Sequence, residues 1–125
     1  MTGAIDLVQR FCDEWGKGSS VDVLADYFTD DAVYHNIPVD PVTGRDAIRA
    51  TIQMFTTGVE RMEFQVRNIA GDGNTVLTER VDVFVLPGKI IELPVMGTFE
   101  VRDGKIAAWR DYFDLNQYMT QLQGG

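Results

Sequence analysis

The sequence predicts an α+β domain in which helices come first and an antiparallel sheet second. Three observations carry this expectation. Apolar residues recur at spacings of three and four through the first half of the chain, the stripe of amphipathic helices. After Gly58 the period falls to two, with Met62, Phe64 and Val66 alternating against polar neighbours. Three turn sequences, Gly71 to Asn74, Leu86 to Lys89 and Arg102 to Lys105, are spaced for a long meander of four strands. Helices laid against one face of a curved sheet leave room for a pocket between the layers.

A first helix is expected along Ile5, Val8, Phe11, Cys12 and Trp15, stopped by Gly16 and Gly18. Ser19 or Ser20 then caps a short second helix with Val23, Leu24, Tyr27 and Phe28 on one side, ended by a Thr29-Asp30-Asp31 turn. Ala32 to Asn36 reads as extended chain. A loop containing Pro38, Pro41 and Gly44 leads into a third helix, whose buried stripe is Ala47, Ile48, Thr51, Ile52 and Phe55. The strands follow, and Leu115 to Leu122 reads as a short last helix. With no linker, repeat or low-complexity tract, residues 1–125 are expected to form one domain.

The balance of 11 Lys and Arg against 19 Asp and Glu gives a formal charge of -8, which repels phosphate backbones and anionic lipid. Neither nucleic acid nor membrane is expected as a partner. One Cys and one His supply no disulfide framework and no cluster of metal ligands, so a reducing cytoplasm and chemistry without metal or cofactor are expected. Met1 to Arg10 lacks the apolar core of a signal peptide, and no apolar run is long enough to span a membrane.

Polar residues stand where apolar ones belong. In the strand from Thr75 to Leu86, alternation puts Thr78, Arg80, Asp82 and Phe84 on one face and Leu77, Val81, Val83 and Val85 on the other. Alone, the Arg80–Asp82 pair reads as a structural ion pair. Asp111, however, sits among Trp109, Tyr112 and Phe113 in the last strand. Beside Arg80 and Asp82 it completes a row in which one planar guanidinium bridges two carboxylates. Tyr34 and Asn36, two apart on extended chain, share a face, with His35 turned away. Read blandly, they are a core Tyr and a turn-entry Asn.

Five blocks carry a resemblance: Tyr34-His35-Asn36-Ile37-Pro38, Gly44-Arg45-Asp46-Ala47, Thr78-Glu79-Arg80-Val81-Asp82-Val83, Gly104-Lys105-Ile106, and Trp109 to Leu115. They resemble, in order and spacing, the motifs of the limonene-1,2-epoxide hydrolases over nearly the whole chain. The resemblance implies the NTF2-like, SnoaL-like cone: three N-terminal helices packed on a curved, mostly antiparallel sheet enclosing a deep pocket. It implies hydrolysis of a small apolar epoxide by water to a vicinal diol, without a cofactor, in a homodimer. By motif the catalytic residues are Tyr34, Asn36, Arg80, Asp82 and Asp111, and those lining the substrate pocket are Cys12, Trp15, Phe84, Leu93, Val95 and Phe113.

The residue types suit that chemistry. Asp111 accepts a proton from water positioned by Tyr34 and Asn36. Asp82 delivers one to the epoxide oxygen, provided that burial and the charge of Asp111 outweigh Arg80. The competing enzyme is a ketosteroid-isomerase-like or polyketide-cyclase-like one, with Asp111 as base and Tyr34 or protonated Asp82 as oxyanion donors. The non-enzymatic alternative is a ligand-binding or dimerisation module of the same fold.

Overall fold

The computed structural model describes residues 3–124. Helix α1 (Ala4–Gly16) buries Leu7, Val8, Phe11, Cys12 and Trp15. Its stripe is therefore rotated from the expected one: Leu7 takes the inner place, and Ile5, 39% exposed, lies against Gly71 at the rim. Helix α2 (Val21–Ala25) is capped by Ser20, whose Oγ accepts from the Val23 N–H at 3.2 Å. It buries only Leu24 and Ala25. Val23 faces solvent, and Tyr27 and Phe28 lie beyond the helix, correcting the expected four-residue stripe.

Strand β1 (Phe28–Asn36) runs straight through Thr29-Asp30-Asp31, which is not a turn. The polar triplet is absorbed by a register irregularity between Phe28 and Val33, with Thr29 Oγ1 donating to Asp31 Oδ1 at 2.9 Å. A short strand, β2 (Val42–Thr43), pairs antiparallel with β1 and was not expected. Helix α3 (Arg45–Thr56) buries Ile48 and Ile52 but leaves Ala47 exposed. Arg45 ties it to β1 by donating from Nε and Nη2 to the Phe28 carbonyl at 3.1 and 2.9 Å.

The meander follows as β3 (Arg61–Asp72), β4 (Thr75–Leu86), β5 (Lys89–Arg102) and β6 (Lys105–Tyr112). Its connections fall on the three turn sequences. At the last one Asp103 and Gly104 both have left-handed φ, 52° and 75°, the requirement of a type I′ hairpin turn. Helix α4 (Leu115–Gln123) closes the chain, capped by Asp114 accepting from the Gln117 N–H at 3.2 Å.

All six strands form one sheet in the order β2-β1-β6-β5-β4-β3. β1 lies parallel to β6 and the other pairs are antiparallel. The expected sheet was thus two strands short. The parallel pairing sets Tyr34 opposite Trp109 and Asn36 opposite Asp111. An aromatic cluster occupies the middle of the core, with Phe11 edge-on to Trp15, Phe28, Phe99 and Trp109 at centroid distances of 5.1–6.1 Å. Trp109 in turn stacks on Tyr34 at 4.1 Å. Contacts of this kind add about 0.5–1.5 kcal/mol each beyond area burial and hold the two strands rigidly in register.

Candidate active site

Arg80 is only 1% exposed, and every one of its five N–H groups has an acceptor. Nε and Nη2 donate side-on to Asp82 Oδ1 and Oδ2 at 2.9 and 2.8 Å. Nη1 and Nη2 donate end-on to Asp111 Oδ1 and Oδ2 at 3.1 and 2.8 Å. The fifth bond runs from Nη1 to Thr78 Oγ1 at 3.2 Å. The expected row of two acids on one guanidinium is therefore present. One detail differs: β6 is not beside β4. β5 lies between them, with Gly97 opposite Thr78 on one side and Asp111 on the other.

Asp111 receives one bond that sequence reasoning missed, from Trp109 Nε1 to Oδ1 at 2.6 Å. The two residues are two apart on β6, the same alternation that pairs Tyr34 with Asn36, so the signal was available. Oδ1 of Asp111 thus takes two donors and Oδ2 one. The freer lone pair is on Oδ2. Tyr34 Oη donates to Asn36 Oδ1 at 3.3 Å.

Tyr34, Asn36, Asp82 and Asp111 open together onto a cavity of ≈ 180 Å³. Phe84, Leu93, Val95 and Phe113 form part of its wall, joined by Phe55, Met62, Phe64 and Val39, and by Leu115 and Tyr118 of α4. Arg80 is not in that wall and stands behind its two carboxylates. Two residues expected there are elsewhere. Cys12 is wholly buried in the core, and Trp15, 4% exposed, stacks on Phe64 at 4.4 Å with the cavity on other residues. Both lie on the inner stripe of α1, which the aromatic core fills before the cavity begins. His35 is half-buried and outside the cavity.

Burial, aided by the charge of Asp111 and opposed by Arg80, raises the Asp82 carboxyl to about 6. Burial alone would weaken the Arg80 cation, but Asp111 and Asp82 outweigh it and hold the guanidinium charged. The Tyr34 hydroxyl is raised by burial and by Asp111, so it stays a neutral donor. Burial pushes the Cys12 thiol up to about 12, which leaves it inert as a nucleophile. The arrangement can hold one proton between two carboxylates that share a cation, at the edge of an apolar cavity.

The family model described as the limonene-1,2-epoxide hydrolase catalytic domain matches residues 4–123. The chain belongs to the limonene-1,2-epoxide hydrolase family. A curated relative, the epoxide hydrolase EphG of Mycobacterium tuberculosis, is 36% identical over 96 residues, 77% of this chain. That match spans 64% of the relative, just under two thirds of its length. A solved structure of an M. tuberculosis LEH-like epoxide hydrolase superposes with a TM-score of 0.82 at 32% identity, over 97% of this chain and 90% of that one. A SnoaL-like polyketide cyclase structure from Shewanella denitrificans OS-217 gives 0.82 at 19% identity, covering 98% of both chains, a likeness of fold alone. The limonene-1,2-epoxide hydrolase family member described here thus has the NTF2-like, SnoaL-like α+β fold, with helices on a curved sheet. Among the described residues no helix is long and apolar enough to cross a membrane, and no group of three or more His, Cys, Asp or Glu could hold a metal ion.

Proposed function

We propose that this single-domain chain hydrolyses a compact apolar epoxide to a vicinal diol in one step, using no cofactor. The observation that carries the reading is the two carboxylates on one buried guanidinium, both opening onto an apolar-walled cavity that the guanidinium itself does not reach. Asp111 Oδ2 takes a proton from a water held by Asn36 and Tyr34. The water oxygen bonds to one epoxide carbon from the face opposite the ring oxygen, and that same carbon's C–O bond breaks. Asp82 gives its proton to the departing oxygen. Before the step Asp82 is protonated and Asp111 charged; afterwards the reverse holds. The net charge around Arg80 is unchanged, so no buried charge is created or lost.

A cavity of ≈ 180 Å³ is below the roughly 300–1,000 Å³ of sites for drug-sized ligands, which favours a small substrate. Enolisation of a carbon acid fits less well. It would use Tyr34 or protonated Asp82 as neutral donors at a developing oxyanion, but gives the guanidinium bridge between two acids no part, whereas activation of water uses it. The outer sheet face supports a homodimer: Leu77, Met96 and Tyr112 are 47–51% exposed, and Met96 pairs with Tyr112. A cytoplasmic site of action suits the unpaired Cys12 thiol. Purified protein incubated with small apolar epoxides should form diols at a rate unchanged by chelator. Absence of diol from every epoxide, or loss of rate in chelator, contradicts the reading.

A further inference from the structure

We propose that Gly97, with Thr78, is a positioning pair for the reaction: a bare saddle in β5 over which Arg80 of β4 reaches Asp111 of β6. Arg80 and Asp111 lie on strands that are not neighbours, so their side chains must meet above the intervening strand. Strands in a sheet are about 4.8 Å apart, which places the meeting point directly over a β5 residue. That residue is Gly97, which pairs with Thr78 and with Asp111.

The space there is fully taken. A Cβ on Gly97 would sit 2.6 Å from Arg80 Nη1, 2.6 Å from Asp111 Oδ1 and 3.0 Å from Thr78 Oγ1. The first two atoms form the Nη1–Oδ1 bond itself, and both side chains are fixed by further bonds on either side. Neither can swing aside as the free end of a flexible chain would. Nor is the glycine demanded by its backbone. Among the described residues six glycines have left-handed φ, and Gly97 is not one of them. A glycine inside a strand is unfavourable relative to Ala, so what Gly97 supplies here is space rather than conformation.

Thr78 completes the saddle. Its Oγ1 accepts the one Arg80 N–H that neither carboxylate takes and is oriented to donate to the Gly97 carbonyl at 3.4 Å. The guanidinium is thereby held at the angle that serves Asp82 side-on and Asp111 end-on. Neither Gly97 nor Thr78 lines the cavity, so both act through Arg80 and Asp111 rather than on substrate.

The rate consequence rests on the hydrolase reading; the geometric consequence does not, and the experiment separates them. The two indole N–H signals in a ¹H–¹⁵N spectrum are built-in probes, since Trp109 donates to Asp111 while the buried Trp15 Nε1 has no partner. Gly97→Ala is expected to shift the Trp109 signal, leave the Trp15 signal in place, and lower kcat for diol formation on the order of 10²-fold with KM unchanged, the scale of a displacement near 1 Å. Both limbs of the pH–rate profile should move. Gly71→Ala is the control: its Cβ would be similarly crowded, 2.9 Å from Ile5 Cγ1 and 3.1 Å from the Thr75 carbonyl, and a merely structural clash should lower stability without moving kcat or the Trp109 signal. Should Gly97→Ala not fold, the isosteric Thr78→Val decides, with a several-fold loss of kcat, unchanged KM and a shifted Trp109 signal expected. Either variant, folded and unchanged in both readouts, overturns the proposal. A wild-type protein that turns over no epoxide defeats the hydrolase reading instead, and the indole signals still decide the role of Gly97.

Discussion

At the scale of single residues, the chemistry turns on a carboxyl group buried to 4% exposure yet bonded to an arginine. Burial dominates and lifts Asp82 to about 6, so the acid form must be lost as pH rises through that value. The expected result is an alkaline fall of kcat/KM centred near 6. The corresponding limb of kcat should lie higher, because an apolar substrate over the cavity removes further solvent from Asp82. Stopped assays across pH check both. The same shift has a stability sign. A raised carboxyl favours the folded state at pH below its ordinary value of 3.8, and that contribution is lost as pH climbs through about 6. Urea midpoints of wild type and Asp82→Asn should therefore converge or cross over this window, by no more than about 1.4 kcal/mol per pH unit. Asp82→Asn and Asp111→Asn should each abolish turnover while circular dichroism stays native. Arg80→Lys should also fail, since three rotatable donors cannot replace five in a planar fork. Arg80 and Asp82 were legible in the sequence because strand alternation forces them onto one face, and Asp111 because it stands among large aromatic residues. The placements of Cys12 and Trp15 were not, because an inner helical stripe does not reveal where the core ends and the cavity begins.

At the scale of elements, α4 closes the cavity wall with Leu115 and Tyr118 and is held from outside. Lys89 Nζ donates to the Leu122 and Gly124 carbonyls at 2.6 and 2.7 Å, and Gln121 exchanges bonds with the backbone of Glu92 on β5. At the other end stands the Asp114 cap. Asp114→Ala should weaken the helix by about 0.5–2 kcal/mol and, by loosening the wall, raise KM for an apolar epoxide more than it lowers kcat. Steady-state kinetics and a thermal melt check the two parts. The hairpin strands could be read in advance because each turn is encoded within four residues. The pairing of β1 with β6 could not, since it joins segments from opposite ends of the chain in parallel, with no local turn to encode it. For the same reason Thr29-Asp30-Asp31 looked like a turn, and only the neighbouring strand shows it to be an irregular stretch of β1.

For the whole molecule, one sheet presents an aromatic cluster and the reactive row on one face, and on the other a strip where exposed Leu77, Met96 and Tyr112 stand beside Glu79 and Thr98. That strip predicts a dimer: light scattering at micromolar concentration should give twice the chain mass, and Met96→Lys with Tyr112→Lys should shift the protein toward monomer while leaving far-ultraviolet dichroism intact. The central claim is that this fold opens an epoxide by direct attack of water, with Asp111 as base and never as nucleophile. It is tested most directly by a single turnover in isotopically labelled water with enzyme in excess. Direct attack predicts that the heavy oxygen appears in the diol and that no carboxylate of the protein gains mass. Unlabelled diol, with the label in Asp111 or Asp82, would contradict it.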